Sequence, residues 1–222
     1  LLQEVGDFLP DFDAILTTGI VFIDPNIDDY QTLLAGVKPG LEVVLLDGNR
    51  DGIVQITEVL QKHRSLLSLH IVAHGEVGGL WLGSGFFSSD TFDQYINDVA
   101  SWRTALAPDG DILLYGCNVA AGESGREFVQ RLSELTGAAV AASSNLTGSA
   151  ALGGDWDLEV QVGDVEAPLA FRVEAMEGYG GVLATTRVSV ATDGTQGNSY
   201  SYLPSILPMG AMWRFLLMPA TW

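Results

Sequence analysis

Short, unbroken apolar runs alternate with helix-spaced segments between residues 19 and 182, and this order constrains the fold more than any other feature. Gly19 to Ile23 (GIVFI) reads as a strand stopped by Asp24-Pro25. Asp28 or Asp29 then caps a helix running through Leu34 and ending at Gly36. Glu42 to Leu46 is a second buried strand, and Ile53, Ile56, Val59 and Leu60 recur at helical spacing. Leu67 to Ala73 (LSLHIVA) is a third strand, followed by a small hairpin arm at Gly79 to Gly83. Thr91 to Leu106 reads as one amphipathic helix, Asp111 to Tyr115 as a fourth strand, and Ser124 as the cap of a helix closed by Gly137. Ala138 to Ala142 is a fifth strand, and the alternating Asp155 to Val160 a later antiparallel one. Strands without polar alternation must be covered on both faces. The expectation is therefore an α/β three-layer sandwich around a mainly parallel sheet, with any site beyond the carboxyl ends of the strands.

Composition narrows the partners. The chain has 222 residues, 47% of them hydrophobic, which suffices for one core. Lys and Arg total 10 against 28 Asp and Glu, a formal charge of −18. Such a surface repels phosphate backbones and anionic lipid, so neither nucleic acid nor a membrane surface is an expected partner. No run reaches the ~18 apolar residues of a spanning helix, so no membrane insertion is expected. The acidity suits an extracellular or cell-surface protein. The chain opens Leu1-Leu2-Gln3-Glu4, with neither Met nor a basic leader, and reads as a fragment or processed product.

One cysteine excludes an internal disulfide and leaves the question of what the thiol does. His74 and Cys117 each stand just past the end of a buried strand, each beside a glycine. If those strands are neighbours, both side chains emerge at one rim, where an imidazole can deprotonate a thiol. Gly75, lacking Cβ, lets its N–H approach a substrate carbonyl, and the Cys117 amide is the natural second donor of an oxyanion hole. Glu76 and Asn118 are the nearest candidates for a third, orienting group. The plainer reading of each residue alone is structural: a buried small hydrophobe and a hydrogen-bonded histidine. Their matched positions tip the balance toward function, whereas His63 and His70 read as structural or solvent-facing.

The segments IVFIDPNIDDYQTLLAGV, HIVAHGEVGGLWLG, LLYGCNVAAGESGREFVQRLSELTGAAVAASSNLTG and GGDWDLE resemble a bacterial family of unknown function. That family occurs near the N-terminus of very large secreted or surface proteins. It is similar in turn to the caspase–gingipain–clostripain superfamily (clan CD) of cysteine peptidases. The resemblance covers roughly residues 17–182 and implies a caspase-like αβα sandwich. It implies His74 as general base and Cys117 as nucleophile of a hydrolase, with a polypeptide substrate, the parent chain itself being one candidate. In the superfamily, loops after the first, third and fifth strands line the substrate pocket. Those loops here offer Asp24, then Glu76, then Ser143, Ser144 and Asn145. For Asp24 the preferred reading is a cap on the turn before Pro25. The alternative to a peptidase is a catalytically silent binding or assembly module of an adhesin-like protein.

Asp47 to Glu58 fits the calcium-loop pattern D-x-[DN]-x-[DN]-G-x5-E. Asp47, Asn49, Asp51 and Glu58 would be side-chain ligands and Ile53 the carbonyl ligand. A strand precedes the pattern where a calcium loop has a helix. The preferred reading is therefore that Asp51 caps a helix and no cofactor is held.

The chain divides into an acidic extension (1–18), the α/β domain (19–182) and a tail (183–222). Arg187 to Ile206 resembles the opening of a TolB-type β-propeller blade, but Pro208 to Trp222 is apolar and aperiodic. Read one base out of phase, codons compatible with those residues can spell the expected blade continuation. The tail is thus expected to be frameshifted from about Leu207, and a lone blade cannot bury its own face.

Overall fold

The computed structural model describes residues 17–185; the acidic extension through residue 16 and the propeller-like and frameshift readings lie outside the described residues. The strands are β1 (Gly19–Ile23), β2 (Leu41–Leu45), β3 (Leu66–Val72), β4 (His74–Glu76), β5 (Gly79–Leu82), β6 (Gly85–Ser88), β7 (Leu106–Tyr115), β8 (Ala139–Ala142) and β9 (Val160–Val162). The helices are α1 (Tyr30–Gly36), α2 (Gly52–Leu60), α3 (Ile96–Ser101), α4 (Gly122–Thr136) and α5 (Val173–Gly178). Six strands form the central sheet in the order β2-β1-β3-β7-β8-β9. All pair in parallel except β9, which runs antiparallel along β8. The expected hairpin arm is β5, the middle strand of a separate three-stranded antiparallel sheet, β4-β5-β6.

Alternation along the central strands sends successive side chains into two different layers. Ile20, Phe22, Leu69, Ile71, Ile112 and Leu114 meet α2, Trp102 and α4 on one face. Val21, Ile23, Val72, Leu113, Tyr115 and Cys117 meet Leu33, Phe171 and Tyr179 on the other. Both faces are covered, which is why the central runs carry no polar alternation. The architecture is a three-layer α/β sandwich with a mainly parallel sheet.

Several elements differ from expectation, each for a local reason. The Leu41–Leu45 strand lies at the sheet edge and is not buried throughout: Val43 and Leu45 are exposed. The expected helix from Thr91 to Leu106 is broken into a 3₁₀ turn (Phe92–Tyr95), α3 and a second 3₁₀ turn (Trp102–Thr104). The two tight turns set Phe92 against Phe87 and Phe128, and let the Trp102 indole N–H donate to Thr57 Oγ1 at 2.9 Å. The α4 helix begins at Gly122, ahead of Ser124, with no side-chain cap, but ends as expected at Gly137 (φ 73°), whose N–H donates to Ser133 O at 2.7 Å. Residues 155–159 form no strand beyond an isolated parallel bridge from Asp155 to Thr147; Trp156 stacks edge-on against Phe171 and Tyr179, and the antiparallel strand starts at Val160.

The calcium-like segment is folded as a turn and a cap. Asp51 Oδ1 accepts from Val54 N–H at 3.0 Å and caps α2, while its Oδ2 accepts from Tyr95 OH at 2.6 Å. Asp47 Oδ1 accepts from Asn49 N–H at 2.9 Å, Glu58 pairs with Arg50 at 2.9 Å, and Ile53 is buried in the first layer.

Candidate functional site

The strands that lead into His74 and Cys117, β3 and β7, are neighbours. Their register pairs Ile71 with Leu114 and Val72 with Tyr115, which carried two residues further sets His74 level with Cys117. Past Val72 the chain leaves the central sheet and enters β4. There Gly75 pairs with Leu80 and faces the first layer, so alternation turns His74 away from it, as Cys117 is turned. Asn118, with φ 61°, supplies the left-handed turn that takes the chain away behind Cys117.

Cys117 is fully buried. Its Sγ accepts from Thr147 N–H at 3.2 Å and lies 3.6 Å from Thr147 O. Burial pushes the thiol pKa up, partly offset by the N–H groups of Thr147 and Leu183. Among the described residues, the buried side-chain polar atoms without a hydrogen-bond partner are His74 Nδ1, Thr147 Oγ1 and Tyr179 OH. Of these, Thr147 touches the sulfur through its N–H, and Cys117 contributes to the raised pKa of Tyr179, after burial, Asp28 and Asp29. Unpaired buried polar groups are rare because each costs about 1–3 kcal/mol.

The amides of Gly75 and Cys117 converge on one acceptor, the carbonyl oxygen of Leu183, at 2.8 and 3.0 Å. This closeness depends on Gly75. A Cβ there would stand 2.6 Å from Gly116 C and 2.7 Å from Cys117 N. Any side chain would drive the two backbones apart and separate the donors. Two backbone N–H groups thus meet at one carbonyl oxygen next to the residue that carries the thiol.

The pocket candidates fall into two groups. Ser143 and Asn145 are held against the Cys117 loop: Ala120 N–H donates to Ser143 O at 2.9 Å, and Asn118 N–H to Asn145 O at 2.7 Å. Ser144 N–H is tied to Glu159 at 2.8 Å. Asp24 is buried and engaged by backbone donors, as a turn cap is. It follows Ile23 of the second layer and so points toward the first, where its carboxylate accepts from Asn26 N–H at 2.8 Å and from Gly83 N–H. Glu76 is exposed and accepts from the Trp81 indole at 3.1 Å, so neither it nor Asn118 orients His74 through any hydrogen bond described. Thr147, Tyr179 and Leu183 carry no sequence signal of a site; the Gly180-Gly181 pair before Val182 is the local mark of a slim, extended approach.

A cavity of about 370 Å³ lies at the amino ends of β1 and β3, lined by Lys38, Ser68, His70 and Glu166 among others, and does not reach Cys117. Among the described residues, no cluster of His, Cys, Asp or Glu could hold a metal, and no helix is long and apolar enough to cross a membrane.

Compared with known families, residues 20–183 match the one described as a domain of unknown function, DUF4347. No curated protein matches the chain.

Proposed function

The chain belongs to the DUF4347 family, and from that premise we propose that its domain is a cysteine peptidase-like acyl-transfer module of a larger secreted or surface protein. The observation that carries this reading is the convergence of the Gly75 and Cys117 amides on one carbonyl oxygen beside the Cys117 thiol. His74 is the base that takes the thiol proton and returns it to the leaving amine, and its unpaired Nδ1 is the atom left free for such an exchange. The substrate is polypeptide. Export is supported by the acidic surface and by the company such domains keep.

The burial of Cys117 favours a second reading, a silent binding or assembly module, and a reactivity profile separates the two. Leu183 is buried against Cys117 in the same apolar layer, so trimming it in Leu183→Ala opens the sulfur to iodoacetamide. A thiol assisted by His74 alkylates well below the free-cysteine pKa of about 8.5, and loses that low-pH reactivity in Leu183→Ala/His74→Ala. A rate that follows one titration near 8.5 in both variants makes the domain a silent module.

A further inference from the structure

We infer that the bond this site cuts is the domain's own Leu183–Ala184 peptide. The inference rests on the acyl-transfer reading and goes beyond it by naming the substrate.

The segment Gly181–Ala184 is bound as a peptidase binds a substrate strand, by its backbone. Ser149 N–H donates to Gly181 O at 2.7 Å, and Leu183 N–H to Thr147 O at 2.8 Å. Gly148 and Val182 form an antiparallel bridge, and Gly75 and Ala184 a parallel one. The extended chain is therefore gripped on both sides of one peptide group. The oxygen of that group lies between two N–H donors. Leu183 is fully buried, so its side chain is specifically seated. A strand present only to close the fold would have no need to deliver one carbonyl to both of these amides. Nor would closure call for an unpaired buried hydroxyl on Thr147, the residue that touches the adjoining sulfur.

The chemistry balances with water as the one co-reactant. Cys117 Sγ, its proton passed to His74, attacks the Leu183 carbonyl carbon. The carbonyl oxygen takes the negative charge between the Gly75 and Cys117 amides. The Leu183–Ala184 C–N bond breaks as His74 protonates the Ala184 nitrogen, leaving a thioester on Cys117. Water, deprotonated by His74, attacks the thioester; Sγ leaves and is reprotonated. The products are a carboxylate at Leu183 and a free amine at Ala184.

The test is the intact mass of the full 222-residue chain, followed over days at neutral pH. Wild type resolves into residues 1–183 and 184–222, while Cys117→Ala stays whole. His74→Ala slows the conversion by about 100-fold or more. Circular dichroism of both variants checks that the fold is kept, and Cys117→Ser stands in if the alanine variant does not fold. A wild-type chain that stays whole overturns the assignment. If Cys117 then still shows His74-dependent alkylation in Leu183→Ala, the acyl-transfer reading stands and the strand is a cover. If that reactivity is missing too, both fall. Cleavage at any other bond, or cleavage that persists without Cys117, also overturns the assignment.

Discussion

Gly75 and His70 show how differently two residues of one strand region are constrained. At Gly75 the constraint is distance: the Cβ of Gly75→Ala would lie 2.6 Å from the backbone of Gly116, so the strands must part and the cradle must open. We expect Gly75→Ala to slow processing by about 100-fold, as loss of one oxyanion donor does, with little change in secondary structure by circular dichroism. At His70 the constraint is protonation. The ring is buried, with Nε2 2.9 Å from Ser68 Oγ and Nδ1 3.2 Å from Tyr115 OH. Tyr115 OH already accepts from Ala170 N–H, so it donates to Nδ1 and the ring is neutral. Burial, with a smaller contribution from Lys38, lowers its pKa to about 4. Between pH 6.5 and about 4 the unfolded chain takes up a proton that the folded one refuses, so stability falls as pH falls through that window. The loss should approach roughly 3 kcal/mol for this group. Urea midpoints at pH 7 and pH 4 measure it: His70→Gln should show a smaller drop than wild type, and equal drops would refute the account. That the strands leading to His74 and Cys117 lie side by side was legible, because glycine-flanked polar residues at strand ends are a local pattern. Thr147 and Leu183 were not, since they reach the sulfur through the main chain, where residue type leaves little trace.

At the level of elements, legibility followed burial. The inner strands β1, β3 and β8 read from sequence within a residue or two, because each is apolar along nearly its whole length. The edge strand β2 looked equally apolar, and nothing local says which strand lies outermost; that is decided by the order of the whole sheet. The Thr91–Leu106 segment has helical spacing, but the fit of Phe92 and Trp102 to the core broke it, an instance of packing overriding propensity. The Asp47–Glu58 pattern belongs to the same scale, since cap and calcium loop use the same residue types. With Asp51 capping Val54 and held by Tyr95, Asp51→Ala should cost about 1–2 kcal/mol. Thermal unfolding would then show a melting temperature lower by roughly 2–8 °C. The structural role predicts that millimolar calcium leaves the wild-type melting temperature unmoved. A calcium-dependent rise abolished in Asp51→Ala would restore the metal reading.

For the whole molecule, the position of the cut decides whether the domain outlives it. Scission after Leu183 leaves Tyr179 and Leu183, the two buried side chains of the strap, on the domain side. It also leaves the bonds from Ser149 to Gly181 O and from Leu183 to Thr147 O intact. The new carboxylate inherits the Gly75 and Cys117 donors, now as charge-assisted hydrogen bonds. Of the contacts described for this strand, the Gly75–Ala184 bridge is the one surrendered. A chain ending at Leu183 should therefore melt within about 2 °C of the uncut Cys117→Ala chain, given that each kcal/mol is worth ~2–4 °C at this size. A chain ending at Gly180 loses the Leu183 side chain from the second layer and both strand bonds. That is comparable to a large-to-small core deletion of about 2–5 kcal/mol, or a fall of roughly 10 °C. Differential scanning calorimetry of the three chains decides the matter. A chain ending at Gly180 that melts with the uncut chain would mean that residues 181–183 contribute nothing to the layer they enter. A fall of the same size in both would mean that Ala184 and beyond are part of the fold, and a domain that cuts there would undo itself.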